Sequence, residues 1–169
     1  MSTETAHAEP ATDQTRWLSD DEQRDWRALL LGNAVLLERL DRDLKNYGLS
    51  MSEYEVLVRL SEAPARTIRM AELADSVQHS RSRLTHTVAR LEHDGLVRRR
   101  PCDDDRRGVN ATLTDLGYET LVDAAPTHVA SVRRALLDLV SPEDFAAVGR
   151  VFRAVVDAAD CHRRPKSAG

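Results

Sequence analysis

The sequence predicts a mainly α protein carrying one small β-hairpin. Three observations predict it. Two serine-led capping boxes, Ser19-Asp20-Asp21-Glu22 and Ser50-Met51-Ser52-Glu53, each open an apolar run with helical spacing. Aromatic residues make up only 4% of the chain, so the core rests on Leu, Val and Ala, a mix that favours helix. Two short strand-like runs, 96–100 and 109–113, flank one polar turn.

The elements follow in order. Residues 1–15 lack periodicity and are expected to form a disordered tail. The first helix is expected to run to about Asn46, with Gly48 as its stop. Along it Trp26, Leu30, Asn33, Leu37, Leu40 and Leu44 recur in steps of three and four, and Leu29 and Leu36 widen that face. The face is more apolar than one small domain needs, which predicts a partner helix. Asn33, polar within the seam, suits either a register role or contact with a ligand. A second helix carries Tyr54, Val56, Leu57 and Leu60 and ends near Pro64. A third holds Met70, Leu73, Ala74 and Val77. After a break at Gln78-His79-Ser80, a fourth runs from Ser80 to His93, where Asp94-Gly95 predicts a left-handed glycine. The hairpin follows, its turn spanning Cys102 to Gly108 and Pro101 expected to end regular pairing. Thr114 reopens helix to about Val140, with a kink or restart at Pro126. Ser141-Pro142-Glu143-Asp144 starts the last helix, striped by Phe145, Val148, Phe152, Val155 and Ala159. Residues 162–169 are expected to be a second disordered tail.

Composition bounds the function. A chain of 169 residues suits one domain with a real core. The net charge of −4 excludes a uniformly basic nucleic-acid binder but not a local basic patch. From His79 to Arg107 eight arginines stand against five acids, a net +3 that leaves −7 on the rest. Only two of the 24 basic residues are lysines, Lys45 and Lys166. A GC-rich genome accounts for that bias, and guanidinium forks also suit phosphate and guanine. The two cysteines, Cys102 and Cys161, imply no disulfide framework. No apolar run is long enough to span a bilayer and no signal segment is visible, so a cytoplasmic protein without a membrane partner is expected.

Two short helices, a tight turn and a hairpin make a winged helix-turn-helix in outline. In the fourth helix Leu84, Val88 and Leu91 share one side and are expected to be buried. Opposite them fall Ser82, His86, Ala89, Arg90 and His93, flanked by Arg83 and Thr85, with Ser80 and Arg81 at the start. Such a small, polar, arginine-bearing surface can enter a major groove. Enzyme chemistry finds little footing. Asp103, Asp104 and Asp105 are adjacent and point in different directions, and His79, His86 and His93 are spaced about 10 Å apart along a helix. There is no glycine-rich phosphate loop and no serine elbow, and no cofactor is expected.

The stretch "LADSVQHSRSRLTHTVARLEHDGLVRRRPCDDDRRGVNATLTDLG", residues 73–117, resembles the core of the multiple-antibiotic-resistance regulator (MarR) family. The carrying pieces are "RLEHDGLVRR", the tripeptide Asp105-Arg106-Arg107 and "LTDLG". The similarity extends over most of residues 18–158. It implies a homodimeric transcriptional regulator, commonly a repressor, on a pseudo-palindromic operator of double-stranded DNA. Residues 16–48 and 114–161 would form the dimerisation region and 49–113 the DNA-binding lobe. The implied recognition set is Ser80, Arg81, Ser82, Arg83, Thr85, His86 and Arg90; the implied wing set is Arg99, Asp105, Arg106 and Arg107. Asp105 and Arg107 match the family's aspartate-x-arginine wing pair, and a charge-assisted fork between them would order the wing before DNA arrives. Many members release DNA when a small acidic or phenolic effector enters the cleft between the two regions. Trp26, Asn33 and Tyr54 are the candidates for that cleft, although Trp26 and Tyr54 also fit plain packing roles. Members that sense oxidants do so through a cysteine near the first helix, which this chain lacks. The competing reading is a winged-helix protein-interaction module without DNA binding.

Overall fold

The computed structural model describes residues 15–102 and 108–163, with side chains to residue 159. The chain divides within its first helix, after Ala34, into two compact units.

In the first unit, the Ser19 N–H donates to the Glu22 carboxylate at 2.8 Å and the Glu22 N–H returns to Ser19 Oγ at 3.2 Å, completing the expected capping box. Helix α1, Asp20–Leu44, starts there. Its apolar residues in this unit, Trp26, Leu29, Leu30 and Leu31, are all exposed.

In the second unit α1 ends in a 3-10 turn, Lys45–Tyr47, closed by Gly48 at φ +70°. Helix α2, Met51–Glu62, begins at Ser50 with both halves of its capping box formed. A short strand β1, Thr67–Arg69, leads into α3, Met70–Ser76, and α4, Arg81–His93. Gly95 takes the expected left-handed conformation at φ +74°. Strands β2, Val97–Pro101, and β3, Val109–Leu113, complete a three-stranded antiparallel sheet in the order β1-β3-β2. Leu57 and Leu60 of α2, Leu73 of α3 and Leu84, Val88 and Leu91 of α4 are sealed in one core with Val97, Ala111 and Leu113 of the sheet.

Helix α5, Asp115–Ala135, is capped by Thr114, whose Oγ accepts the Gly117 N–H at 3.0 Å. The same hydroxyl donates to the Gly95 carbonyl at 2.8 Å, tying α5 to the turn that follows α4. A Cβ on Gly117 would lie 2.1 Å from the Leu96 carbonyl oxygen, so only glycine lets α5 approach the sheet this closely. Helix α6, Pro142–Arg163, follows a 3-10 turn at Leu137–Leu139, and Ser141 Oγ accepts the Asp144 N–H at 3.0 Å.

Three expectations are corrected. The sheet has a third strand beyond the hairpin, for β1 is three residues long and too short to show alternation. Pairing runs through Pro101, whose Cα partner is Val109, and one bond further, with the Cys102 N–H on the Gly108 carbonyl at 2.9 Å. Proline is tolerated because β2 is an edge strand. Helix α5 passes Pro126 without a break and stops at Ala135 rather than near Val140. Pro126 is exposed, so the carbonyl it leaves without a donor can be hydrated.

Candidate nucleic-acid interface

The turn from α3 to α4 is tight because Gln78 adopts φ +53° and the His79 N–H reaches back to the Ala74 carbonyl at 3.0 Å. Ser80 then caps α4, its Oγ accepting the Arg83 N–H at 3.2 Å. The helix buries Leu84, Val88 and Leu91 as expected. Ser80, Arg81, Ser82, Arg83, Thr85, His86 and Arg90 are all exposed. The Thr85 hydroxyl donates to the Arg81 carbonyl at 2.8 Å, which leaves its oxygen outward-available as an acceptor only. A cleft of about 330 Å³ lies between α4 and the wing, lined by Arg69, Arg81, Thr85 and Gly108 among others.

The arginines fall into two kinds. Arg83, Arg90 and Arg99 are held by the chain itself. Arg83 Nη2 donates to Ser52 Oγ at 2.9 Å. Arg90 Nε lies 3.1 Å from the Glu53 carboxylate. Arg99 donates its backbone N–H and its Nε–H to Glu92, at 2.9 and 2.8 Å. These hydrogen bonds from Arg99, side chain first and backbone second, hold the Glu92 carboxyl below its ordinary range. Arg81, Arg98 and Arg100, by contrast, have no carboxylate partner among the described residues. Arg98 and Arg100 were absent from the sequence-predicted set. Strand alternation could have found them: Val97 is in the core, so Arg99 shares its inward face while Arg98 and Arg100 point out. The predicted wing residues Asp105, Arg106 and Arg107 lie outside the described residues, and with them the proposed fork of Asp105 on Arg107.

His79, at the turn, is lowered in pKa chiefly by burial and next by Arg83, against a smaller opposing pull from Glu55. Its Nδ1 is buried without a partner among the described residues. The imidazole is therefore neutral at physiological pH.

The effector candidates fall in separate units. Trp26 and Asn33 are exposed in the first, where Trp26 lines a surface hollow with Leu18 and Leu29. Tyr54 is buried in the second, its ring centroid 4.4 Å from that of His128. Burial pushes the Tyr54 hydroxyl pKa up and the His128 pKa down, and among the described residues His128 Nδ1 has no partner. His128 was not singled out from the sequence, because only tertiary packing brings it to Tyr54. Among the described residues no cluster of His, Cys, Asp or Glu is arranged to hold a metal ion, and no helix is long and apolar enough to cross a membrane.

Comparison with known proteins agrees with this geometry. The MarR family model matches residues 49–109, which span α2 to the start of β3. The structure of AbsC, a MarR family transcriptional regulator from Streptomyces coelicolor, is 44% identical with a TM-score of 0.81, covering 86% of this chain and 99% of that one. The structure of Sco3205, a MarR family transcriptional regulator from the same organism solved in complex with DNA, is 43% identical with a TM-score of 0.83, covering 92% and 96%. The regulator PecS of Dickeya dadantii is 33% identical over 111 residues, a match spanning 64% of each chain and thus less than two thirds of that relative. The chain belongs to the MarR family and is a transcriptional regulator rather than an enzyme.

Proposed function

We propose that this chain is a sequence-specific DNA-binding regulator, a repressor, acting as a cytoplasmic homodimer on a pseudo-palindromic operator. The observation that carries this reading is the division of α4 into a sealed inner face and an exposed face presenting Ser80, Arg81, Ser82, Arg83, Thr85 and His86. A helix so divided is fixed to its domain on one side and free to enter a major groove on the other. Arg98 and Arg100, without a carboxylate partner among the described residues, supply backbone contacts, and Arg106 and Arg107 supply the minor-groove contact. Arg90 and Arg99 share their charge with Glu53 and Glu92 and serve by holding α4 and the wing in place. The DNA-bound structure of Sco3205, so similar in sequence and fold, supports the same partner here.

The dimer rests on apolar surface that one chain leaves open. On α6, Phe145, Val148, Phe152 and Val155 remain 40 to 61% exposed, and on α1 Trp26, Leu30 and Leu37 are similarly bare. A second copy covers these stripes. A small acidic or phenolic effector releases the DNA, and Tyr54, buried against His128, is the candidate contact for it in the second unit.

The test is a mobility shift with DNA from upstream of the chain's own coding sequence. A shift that weakens steeply as salt rises is expected, since phosphate contacts release counterions. No shift at any salt would favour the protein-interaction module instead.

A further inference from the structure

We propose that Glu53 is a positioning residue for DNA reading, clamping α4 onto the first turn of α2 through Arg90. This rests on the DNA-binding reading above. Glu53 is only 2% exposed, and a carboxylate so buried must be paired. One of its oxygens accepts the Ser50 N–H and hydroxyl at 2.8 and 2.7 Å; the other lies 3.1 Å from Arg90 Nε. The two halves of the carboxylate have different needs. Glutamine completes a capping box as well as glutamate does, so capping does not require the charge. Arg90 does require it.

The clamp has a second arm. Arg83, seven residues before Arg90, donates to Ser52, the neighbour of Glu53. Seven residues are two helical turns, so two grips about 10 Å apart on α4 converge on one turn of α2. One contact would leave the recognition helix free to roll; two fix its rotation and its advance. The Arg90 side chain is also 70% exposed, so a released guanidinium stands as a free cation on the outer face, able to meet a phosphate of any sequence. Glu53 thus keeps Arg90 from contributing affinity that carries no sequence information.

Three variants, Glu53→Gln, Arg90→Met and the two combined, test this on an operator selected from random duplexes and on an unrelated duplex, across salt. Glu53→Gln is expected to steepen the log–log salt slope by about one, through one added phosphate contact. It should lower the preference for operator over unrelated DNA at least tenfold. Arg90→Met, altered on the exposed side where folding tolerates it, should lower the preference with the slope unchanged, and the double variant should restore the parent slope. Amide exchange in the free protein is a readout independent of DNA: Glu53→Gln should speed exchange along the C-terminal half of α4. A lower melting temperature with preference, slope and α4 exchange unchanged would reduce Glu53 to a structural role and overturn the clamp. A slope made shallower by Arg90→Met would show Arg90 itself on phosphate and overturn it too. If the parent binds no DNA, the DNA-binding reading fails, and α4 exchange alone decides whether the clamp stands.

Discussion

Glu92 at the end of α4 takes Arg99 of β2 in a fork, accepting the Arg99 backbone N–H at 2.9 Å and its Nε–H at 2.8 Å. The recognition helix and the stem of the wing are thereby one piece, joined across the Asp94-Gly95 turn. The depressed carboxyl of Glu92 makes that joint sensitive to acid. A folded-state pKa below the unfolded one contributes stability that is full above the unfolded value, about 4.3, and is lost as pH falls through the folded value. The urea midpoint of Glu92→Gln should therefore lie below that of the parent at pH 7 and converge with it below about pH 4. A gap that stays constant from pH 7 to pH 3 would show that the fork contributes nothing through its charge.

Adjacent residues of α4 should separate stability from recognition. Leu84 is 1% exposed, and Leu84→Ala should cost roughly 2–5 kcal/mol in urea unfolding. Thr85 is exposed, and Thr85→Ala should leave unfolding within about 0.5 kcal/mol while weakening operator binding. Equal effects of the two changes on operator affinity at matched folded fraction would mean that the exposed face does not read DNA.

The close approach of α5 to the sheet gives a further expectation. Gly117→Ala places a methyl group 2.1 Å from the Leu96 carbonyl oxygen, which backbone must move to relieve. A loss of roughly 1–3 kcal/mol is expected from such overpacking, read as a lower urea midpoint at unchanged slope. An unchanged midpoint would mean that α5 is not seated this tightly.

The bare stripe of α6 is tested by one charge. Phe152, 45% exposed in the single chain, should be covered in the dimer. Phe152→Glu should shift sedimentation toward monomer and weaken operator binding in parallel. A variant that remains dimeric would place the interface elsewhere.

Local signals were legible in the sequence. Both capping boxes, the left-handed Gly95, the start of the last helix at Ser141 and the buried line Leu84, Val88, Leu91 depend on neighbours within a turn or two, and each formed as expected. The exposed side of α4 followed from that line by helical geometry. Strand β1 escaped notice because three residues carry no period, and its partner β3 lies far along the chain, Thr67 pairing with Thr112 at a separation of 45 residues. The clamps of Glu53 on Arg90 and Glu92 on Arg99 were not legible, since a charge in a sequence does not name its partner. Arg98 and Arg100 were legible in principle, once Val97 was assigned to the core face of its strand.

Hydroxyl-radical footprinting of the protein on DNA from upstream of its own coding sequence is the most direct measurement. The expected result is two protected patches centred roughly 34 Å apart on the duplex, related by a two-fold axis and fading together as salt is raised. A single protected patch, or uniform protection without boundaries, would contradict sequence-specific binding by a symmetric dimer.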